Sequence, residues 1–298
     1  MKNILLVFVV IIMMLSFVAC GDGKSNNTTP TTSSNTNQTT NNNKNNEYSI
    51  DETVVIDNSD CLIKITDIYD DNIWGFTIKV ELENRSADKK YMFTIDTASI
   101  NGVVCDPLFA SEVAAGKKAN DKITFYTDTL DENNIGDYTD IELAFRVYDS
   151  DDWMSDDIAY ETVHIYPLGE DKAINYVRES KPTDNVIIDN EYITAIVTGY
   201  TQDDFFGYTV NYYFINKTDK NIMISADDVS VNDIMLDPLY ATTIPAGKCA
   251  FSDMSWFDDE FMDNAITDVE KIEFIFSVSD YDDWLADDYV NESITLNP

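Results

Sequence analysis

At 298 residues, with 19 Lys and Arg against 55 Asp and Glu, the chain has a formal charge of −36 and a pI near 4.1. That surplus repels nucleic-acid phosphates and anionic lipid headgroups, which excludes nucleic-acid binding and electrostatic docking on a membrane. An apolar fraction of 44% and an aromatic fraction of 12% exclude an acidic disordered chain and supply cores for about two domains.

In chain order, Lys2 precedes an apolar run from Ile4 to Val18, broken only by Ser16, which stops at Ala19-Cys20-Gly21-Asp22. A spanning helix needs about 20 apolar residues, so this shorter run behind a basic residue reads as a secretory signal over 1–19. Phe17-Val18-Ala19-Cys20 resembles the lipobox of bacterial lipoproteins, with Phe17 where Leu is usual. The resemblance implies that the Cys20 thiol receives diacylglycerol and becomes the mature N-terminus on the outer face of the cell membrane. Two acyl chains hold stably where one binds only marginally. The alternative is an uncleaved anchor in which Cys20 is incidental. Residues 20–46 follow as a tether: from Ser25 to Asn46 nearly every residue is Ser, Thr, Asn or Gln, with no apolar side chain to offset the entropy of ordering. Its root-mean-square span is about 25 Å.

Beyond the tether the sequence repeats with an offset of about 131 residues. Val55-Ile56-Asp57-Asn58 returns as Ile187-Ile188-Asp189-Asn190, Asn84-Arg85-Ser86 as Asn216-Lys217-Thr218, and Asp106-Pro107-Leu108-Phe109-Ala110 as Asp237-Pro238-Leu239-Tyr240-Ala241. Ala115-Gly116-Lys117 returns as Ala246-Gly247-Lys248, and Ile141 through Asp157 as Ile272 through Asp288. Two domains, 47–167 and 186–298, joined by a linker over 168–185, account for this better than a solenoid, whose period would be 20 to 50 residues.

Each copy reads as strands. Phe76, Ile78, Val80 and Leu82 alternate with Thr77, Lys79, Glu81 and Glu83, as Tyr208, Val210, Tyr212 and Phe214 do in the second copy; period two marks a sheet with one buried face. Ile141, Leu143, Phe145 and Val147 alternate likewise, matched by Ile272, Phe274, Phe276 and Val278. Asn101-Gly102 between apolar residues signals a two-residue hairpin, with Asn232-Asp233 as its counterpart. The expected fold is all-β: two tandem antiparallel immunoglobulin-like sandwiches without the Cys–Trp–Cys pattern of antibody domains. The runs GFTIKVELENRS, DPLFASEVAAGKK and IELAFRVYDSDDW resemble the telokin-like, immunoglobulin-like domains of unknown function in lipoproteins of low-GC Gram-positive bacteria. The resemblance covers 54–167 and 186–298. It implies exported binding or accessory modules and supplies no catalytic residues.

The densest polar cluster is Asp149, Asp151, Asp152, Trp153, Asp156 and Asp157, repeated as Asp280, Asp282, Asp283, Trp284, Asp287 and Asp288. Carboxylates at this density between two strands supply the hard oxygen ligands of calcium, the one cofactor weighed. The pattern lacks the turn Gly and bidentate Glu of an EF-hand loop, and aspartates also cap short turns. Trp153 and Trp284 read as plugs at the sandwich ends or as binding platforms. Asp106 and Asp237 read as turn residues that bond their local backbone, and Ala115-Gly116-Lys117 as a hairpin turn. His164, the one imidazole, reads as an exposed strand residue with no Ser or Cys nucleophile signature nearby. Cys61, Cys105 and Cys249 have no counterparts in the other copy; a Cys61–Cys105 bridge is conceivable, and free buried thiols are the simpler reading. Tyr148, Tyr213 and Tyr281 are candidates for an exposed sugar-stacking face.

These features lead to a non-catalytic surface lipoprotein, bound to the membrane through its lipid and to an extracellular protein or glycan through its domains. A calcium-dependent adhesin or carbohydrate binder is the alternative, with a wall-associated hydrolase behind it. Residues 1–46 hold Lys2, Lys24 and Lys44 against Asp22, so the two domains carry −38.

Overall fold

A computed structural model describes residues 48–71, 75–125, 130, 131, 133, 135–203, 207–283 and 285–298. The signal, the tether, Cys20 and Trp284 lie outside the described residues. Asn46–Pro298, holding both copies, is one compact unit, and its described part is two antiparallel β-sandwiches in tandem.

The first copy contains β1 (Thr53–Asp57), β2 (Cys61–Asp71), β3 (Gly75–Asn84), β4 (Tyr91–Ile100), β5 (Val103–Val104), β6 (Ala110–Val113), β7 (Lys118–Phe125), β8 (Ile141–Asp149) and β9 (Ala159–Ile165). One sheet runs β1-β2-β3-β7; the facing one runs β5-β4-β8-β9, with β6 also on β4. Taking β2, β3, β4, β7, β8 and β9 as A, B, C, E, F and G gives the immunoglobulin arrangement of A-B-E against C-F-G, with β1 added outside A. The second copy repeats it as β10 (Asn185–Asp189), β11 (Ile193–Asp203), β12 (Gly207–Asn216), β13 (Ile222–Val231), β14 (Ile234–Met235), β15 (Thr242–Ile244), β16 (Cys249–Trp256), β17 (Ile272–Asp280) and β18 (Val290–Leu296). A six-residue helix, α1 (Asp258–Asp263), follows β16.

The alternating residues fill the space between the sheets. Phe76, Ile78, Leu82, Phe93, Phe125 and Phe145 are fully buried in the first copy, and Phe214, Trp256 and Phe276 in the second. Tyr48, just ahead of β1, stacks on Tyr138 at 5.8 Å and meets Phe76 edge-on. The bulges repeat as well: the β1/β2 register slips between Val54 and Ile56 as β10/β11 does between Val186 and Ile188. Asn101 and Gly102 both take positive φ, as do Asn232 and Asp233, which is the two-residue turn the sequence signals. Each turn Asn reaches a second loop, Asn101 through its Nδ2–H to the Asp137 carbonyl and Asn232 to that of Asp268. Gly207, at φ 72°, is required: a Cβ there would lie 2.2 Å from the Trp256 carbonyl oxygen. Ala115-Gly116-Lys117 is a turn, closed by Lys117 N–H to the Ala114 carbonyl, but it is not a hairpin. It carries the chain from β6, in one sheet, to β7, in the facing sheet.

The two sandwiches share a sheet. β16 of the second copy pairs parallel with β5 of the first, and the Cys249 N–H donates to the Gly102 carbonyl at 3.0 Å. Tyr213 and Cys249 belong to the first copy's core, and Ile196, Ile215 and Phe251 pack against it. In the linker, Tyr176 donates its N–H to the Asn101 carbonyl and meets Phe251 edge-on. Arg178 lies over the Tyr213 ring and forms two 2.7 Å bonds to Asp184, with both side chains less than a tenth exposed.

Candidate functional site

The two Asp-rich connections, β8 to β9 and β17 to β18, are built first as turns. Asp149 accepts the Asp151 N–H at 3.1 Å and pairs with Lys89 at 2.9 Å. Asp280 accepts the Asp282 N–H at 2.9 Å and a 3.3 Å bond from the Tyr289 hydroxyl, with Lys220 3.7 Å away. Lys89 and Lys220 are themselves repeat counterparts, so cap and counter-charge recur together. The N–H bonds and the Lys hold both carboxyls below the usual range. Asp157 pairs with Arg146, whose guanidinium lies over Tyr148. Asp151 lies 3.4 Å from Lys90, Asp283 caps the Leu285 N–H, and Asp288 accepts from Asn291. Asp152 takes part through its carbonyl, bonded by Ser155, while Asp156 and Asp287 are exposed. Among the described residues no three His, Cys, Asp or Glu side chains converge as a metal site. Trp153 is 54% exposed, so it does not plug the sandwich end.

The remaining sequence candidates separate. His164 lies between Asp140, 2.8 Å from Nδ1, and Glu142, 3.2 Å from Nε2. Glu142 also takes Lys248 of the second copy at 2.6 Å, which makes this cluster a seam between sandwiches rather than a base beside a nucleophile. Cys61, Cys105 and Cys249 are free thiols; burial pushes the Cys61 thiol up to about 11 and raises the other two, which keeps them protonated and poorly nucleophilic. Tyr213, expected to be exposed, is 4% exposed because the first sandwich and the linker cover it.

Docking creates a site that sequence reasoning missed. A cleft of about 460 Å³ lies between β4–β5 and the segment after it, on one side, and β15–β16 on the other. Asp96, Thr97 and Asp106 come from the first copy; Thr242, Thr243, Phe251, Ser252 and Tyr281 come from the second. Thr242 and Ser252 hydrogen-bond to each other through their hydroxyls. Asp96 stands where β4 bulges between Ile95 and Thr97 and accepts the Tyr160 hydroxyl at 3.0 Å. Asp106 was expected to bond its local backbone; its carboxyl makes no such bond, and the residue is exposed at the edge of the cleft, where desolvation by the surrounding protein raises its pKa. The signal for this site was a broken repeat. Where the first copy has Lys64, Glu81 and Asn120, the second has Ile196, Tyr213 and Phe251, apolar residues on a phase otherwise facing water.

Fold and site together define a tandem immunoglobulin-like sandwich protein with a polar cleft at its internal seam. No family model matches the chain, and no curated protein matches it in sequence. Among solved structures, red sea bream transglutaminase is matched over 79% of this chain and 31% of its own length, at 14% identity and a TM-score of 0.21. A likeness at that score carries no argument about activity.

Proposed function

We propose that the chain is a bacterial surface lipoprotein, anchored through Cys20 on the outer face of the membrane, whose paired sandwiches form a non-catalytic binding or accessory module. The observation that carries the binding role is the inter-sandwich cleft, walled by both copies and lined by hydroxyls, carboxylates and an aromatic rim, at the kind of domain junction where ligand sites concentrate. The resemblance to telokin-like domains of Gram-positive lipoproteins and the −38 charge of the folded pair agree with an exported role. Calcium-dependent adhesion ranks second, because Asp149 and Asp280 already serve as turn caps with Lys partners.

Three measurements test this reading and the calcium alternative. Cys20→Ala is expected to move the protein from the membrane fraction to the medium; retention in the membrane refutes the anchor. Titration of the Cys20→Ala chain with small amines, sugars and soluble wall fragments, followed by NMR, is expected to shift resonances of Thr97, Thr242 and Ser252. If none of these ligands perturbs the cleft, the binding role falls. Millimolar calcium is expected to leave the melting temperature unchanged, and a rise of several degrees would put the calcium reading first.

A further inference from the structure

We propose that the chain associates head to tail with further copies of itself, β7 of one molecule adding to β14 of the next as β16 adds to β5 within the chain. The internal joint takes one edge strand from each copy, β5 of the first and β16 of the second. It leaves their counterparts unused. β7, which corresponds to β16, has β3 as its one strand partner, and β14, which corresponds to β5, has β13. The two hairpins share a register, Ser99↔Val104 and Ile100↔Val103 in the first copy, Ser230↔Met235 and Val231↔Ile234 in the second. The other two strands share a closed end: Leu108 bridges Thr124 on β7 as Leu239 bridges Ser255 on β16. The open stretch of β7 therefore starts at Lys118, the counterpart of Cys249, which in β16 meets Val103. Free strand edges of this kind are templates for pairing.

Side chains at the two open edges match those of the joint already made. Val103 is 2% exposed at the internal joint, whereas its counterpart Ile234 is only half-buried and Met235 beside it is 61% exposed. Glu142 takes Lys248 across the internal seam, and the counterparts of that pair are Glu273 at the tail and Lys117 at the head. Lys117 is exposed and, among the described residues, makes no ion pair, on a chain with 55 acidic residues. At the tail, Asp233 and Glu273 share Lys271 at 2.5 and 3.0 Å, and Asn232 holds the Asp268 and Glu270 backbone alongside. That end sets four carboxylates against one ammonium. The head sets Lys64, Lys117 and Lys118 around Glu81 and Glu83. The opposite surpluses favour head on tail over either end on its like. The head has Lys64, Glu81 and Asn120 where the docked face has Ile196, Tyr213 and Phe251, so the external joint lacks an apolar seal and is weak and reversible. Being heterologous, it does not close at two molecules, and chains extend.

The test is sedimentation of the Cys20→Ala chain in about 0.15 M salt, where a Debye length of about 8 Å screens the general repulsion between acidic chains but not a pair in contact. The average mass is expected to pass that of a dimer as concentration rises from about 0.05 to 1 mM. Lys117→Glu and Glu273→Lys are each expected to weaken association about tenfold. An equal mixture of these two variants is expected to recover it, because each head then meets a tail of opposite charge. Met235→Asp, which places a carboxylate on the open edge, is expected to stop growth. Melting temperatures of the variants, expected unchanged, separate a lost contact from a lost fold. A mass that stays at the monomer across the range, one that stops at the dimer, or growth indifferent to Lys117→Glu and Met235→Asp would each overturn the proposal. None of these readouts depends on a ligand in the cleft, so the two proposals fail separately.

Discussion

The outer faces of two equivalent sheets meet different surroundings. On β10-β11-β12-β16, Ile196, Tyr213, Ile215, Cys249 and Phe251 pack against the first copy and the linker. The same positions on β1-β2-β3-β7 are Lys64, Glu81, Glu83, Lys118 and Asn120. There Lys64 bridges Glu52 and Glu81 at 3.3 and 3.0 Å, and Lys118 lies 3.8 and 3.4 Å from Glu81 and Glu83. Such exposed pairs contribute roughly 0 to 1 kcal/mol each, so they keep that face hydrated rather than hold the fold. The inner faces are buried and apolar in both copies. The repeated half of the pattern therefore specifies the sandwich, and the unrepeated half specifies which sandwich docks and by which face.

Exchanging the outer faces breaks the comparison most directly. Tyr213→Glu with Phe251→Asn places first-copy residues on the docked face, where a carboxylate would be buried against the first core beside an Arg178 already committed to Asp184. We expect a cost of about 3–4 kcal/mol to docking, seen as one calorimetric transition splitting into two and a larger radius of gyration in X-ray scattering. A single transition with unchanged dimensions would mean that the linker and the β5–β16 pairing suffice without the apolar face. The reverse exchange, Glu81→Tyr with Asn120→Phe, is expected to change melting little while raising self-association, since it adds an exposed apolar patch.

The linker clasp comes next. Arg178→Ala leaves the Asp184 carboxylate nearly buried without its bidentate partner, at a cost of about 2–3 kcal/mol, between the exposed and fully buried limits. The Arg178 guanidinium, with help from the Lys181 N–H, holds Asp184 down to about 2. A depressed carboxylate contributes fully above its unfolded value, about 3.9, and loses that contribution as pH falls through about 2. Docking measured from pH 6 to 2 should thus hold to about pH 4 and weaken below it. Asp184→Asn should abolish that acid-dependent part, and an identical profile in the variant would sink the assignment. At the seam, Lys248→Ala removes the 2.6 Å pair with Glu142 and is expected to cost about 1 kcal/mol in melts.

The repeat, the strand alternation and the Asn101-Gly102 turn were legible because each depends on local spacing. The arch at Ala115-Gly116-Lys117 was not, since a β-turn between strands looks the same whether it closes a hairpin or crosses between sheets. The Asp clusters were legible as a pattern but ambiguous in purpose: one Asp in each turn is tied to a Lys some 60 residues earlier in the chain, at Lys89 and Lys220, and sequence spacing does not expose that pairing. The cleft escaped because Thr242 and Ser252 of the second copy meet Asp96 and Asp106 of the first only when the two domains dock. The trace of docking that the sequence does carry is Tyr213 at the position of Glu81: an outward residue that changes from charged to aromatic between copies marks the docked face.

A smaller difference separates the two cores. Where the first copy has Val80 and Phe109, the second has Tyr212 and Tyr240, and the hydroxyls of both are buried with no hydrogen-bond partner. The rings lie 5.9 Å apart, and burial drives the Tyr240 phenol well above its usual range. A buried hydroxyl without a partner costs about 1–3 kcal/mol. Tyr240→Phe should therefore stabilise the second sandwich by about 1 kcal/mol, whereas Phe109→Tyr, at the matching position, should destabilise the first by about 1–2 kcal/mol. Calorimetric melts of the two variants check both signs. If Tyr240→Phe lowers stability instead, its hydroxyl is bound to ordered water between the sheets, and the second copy encloses a hydrated pocket that the first lacks.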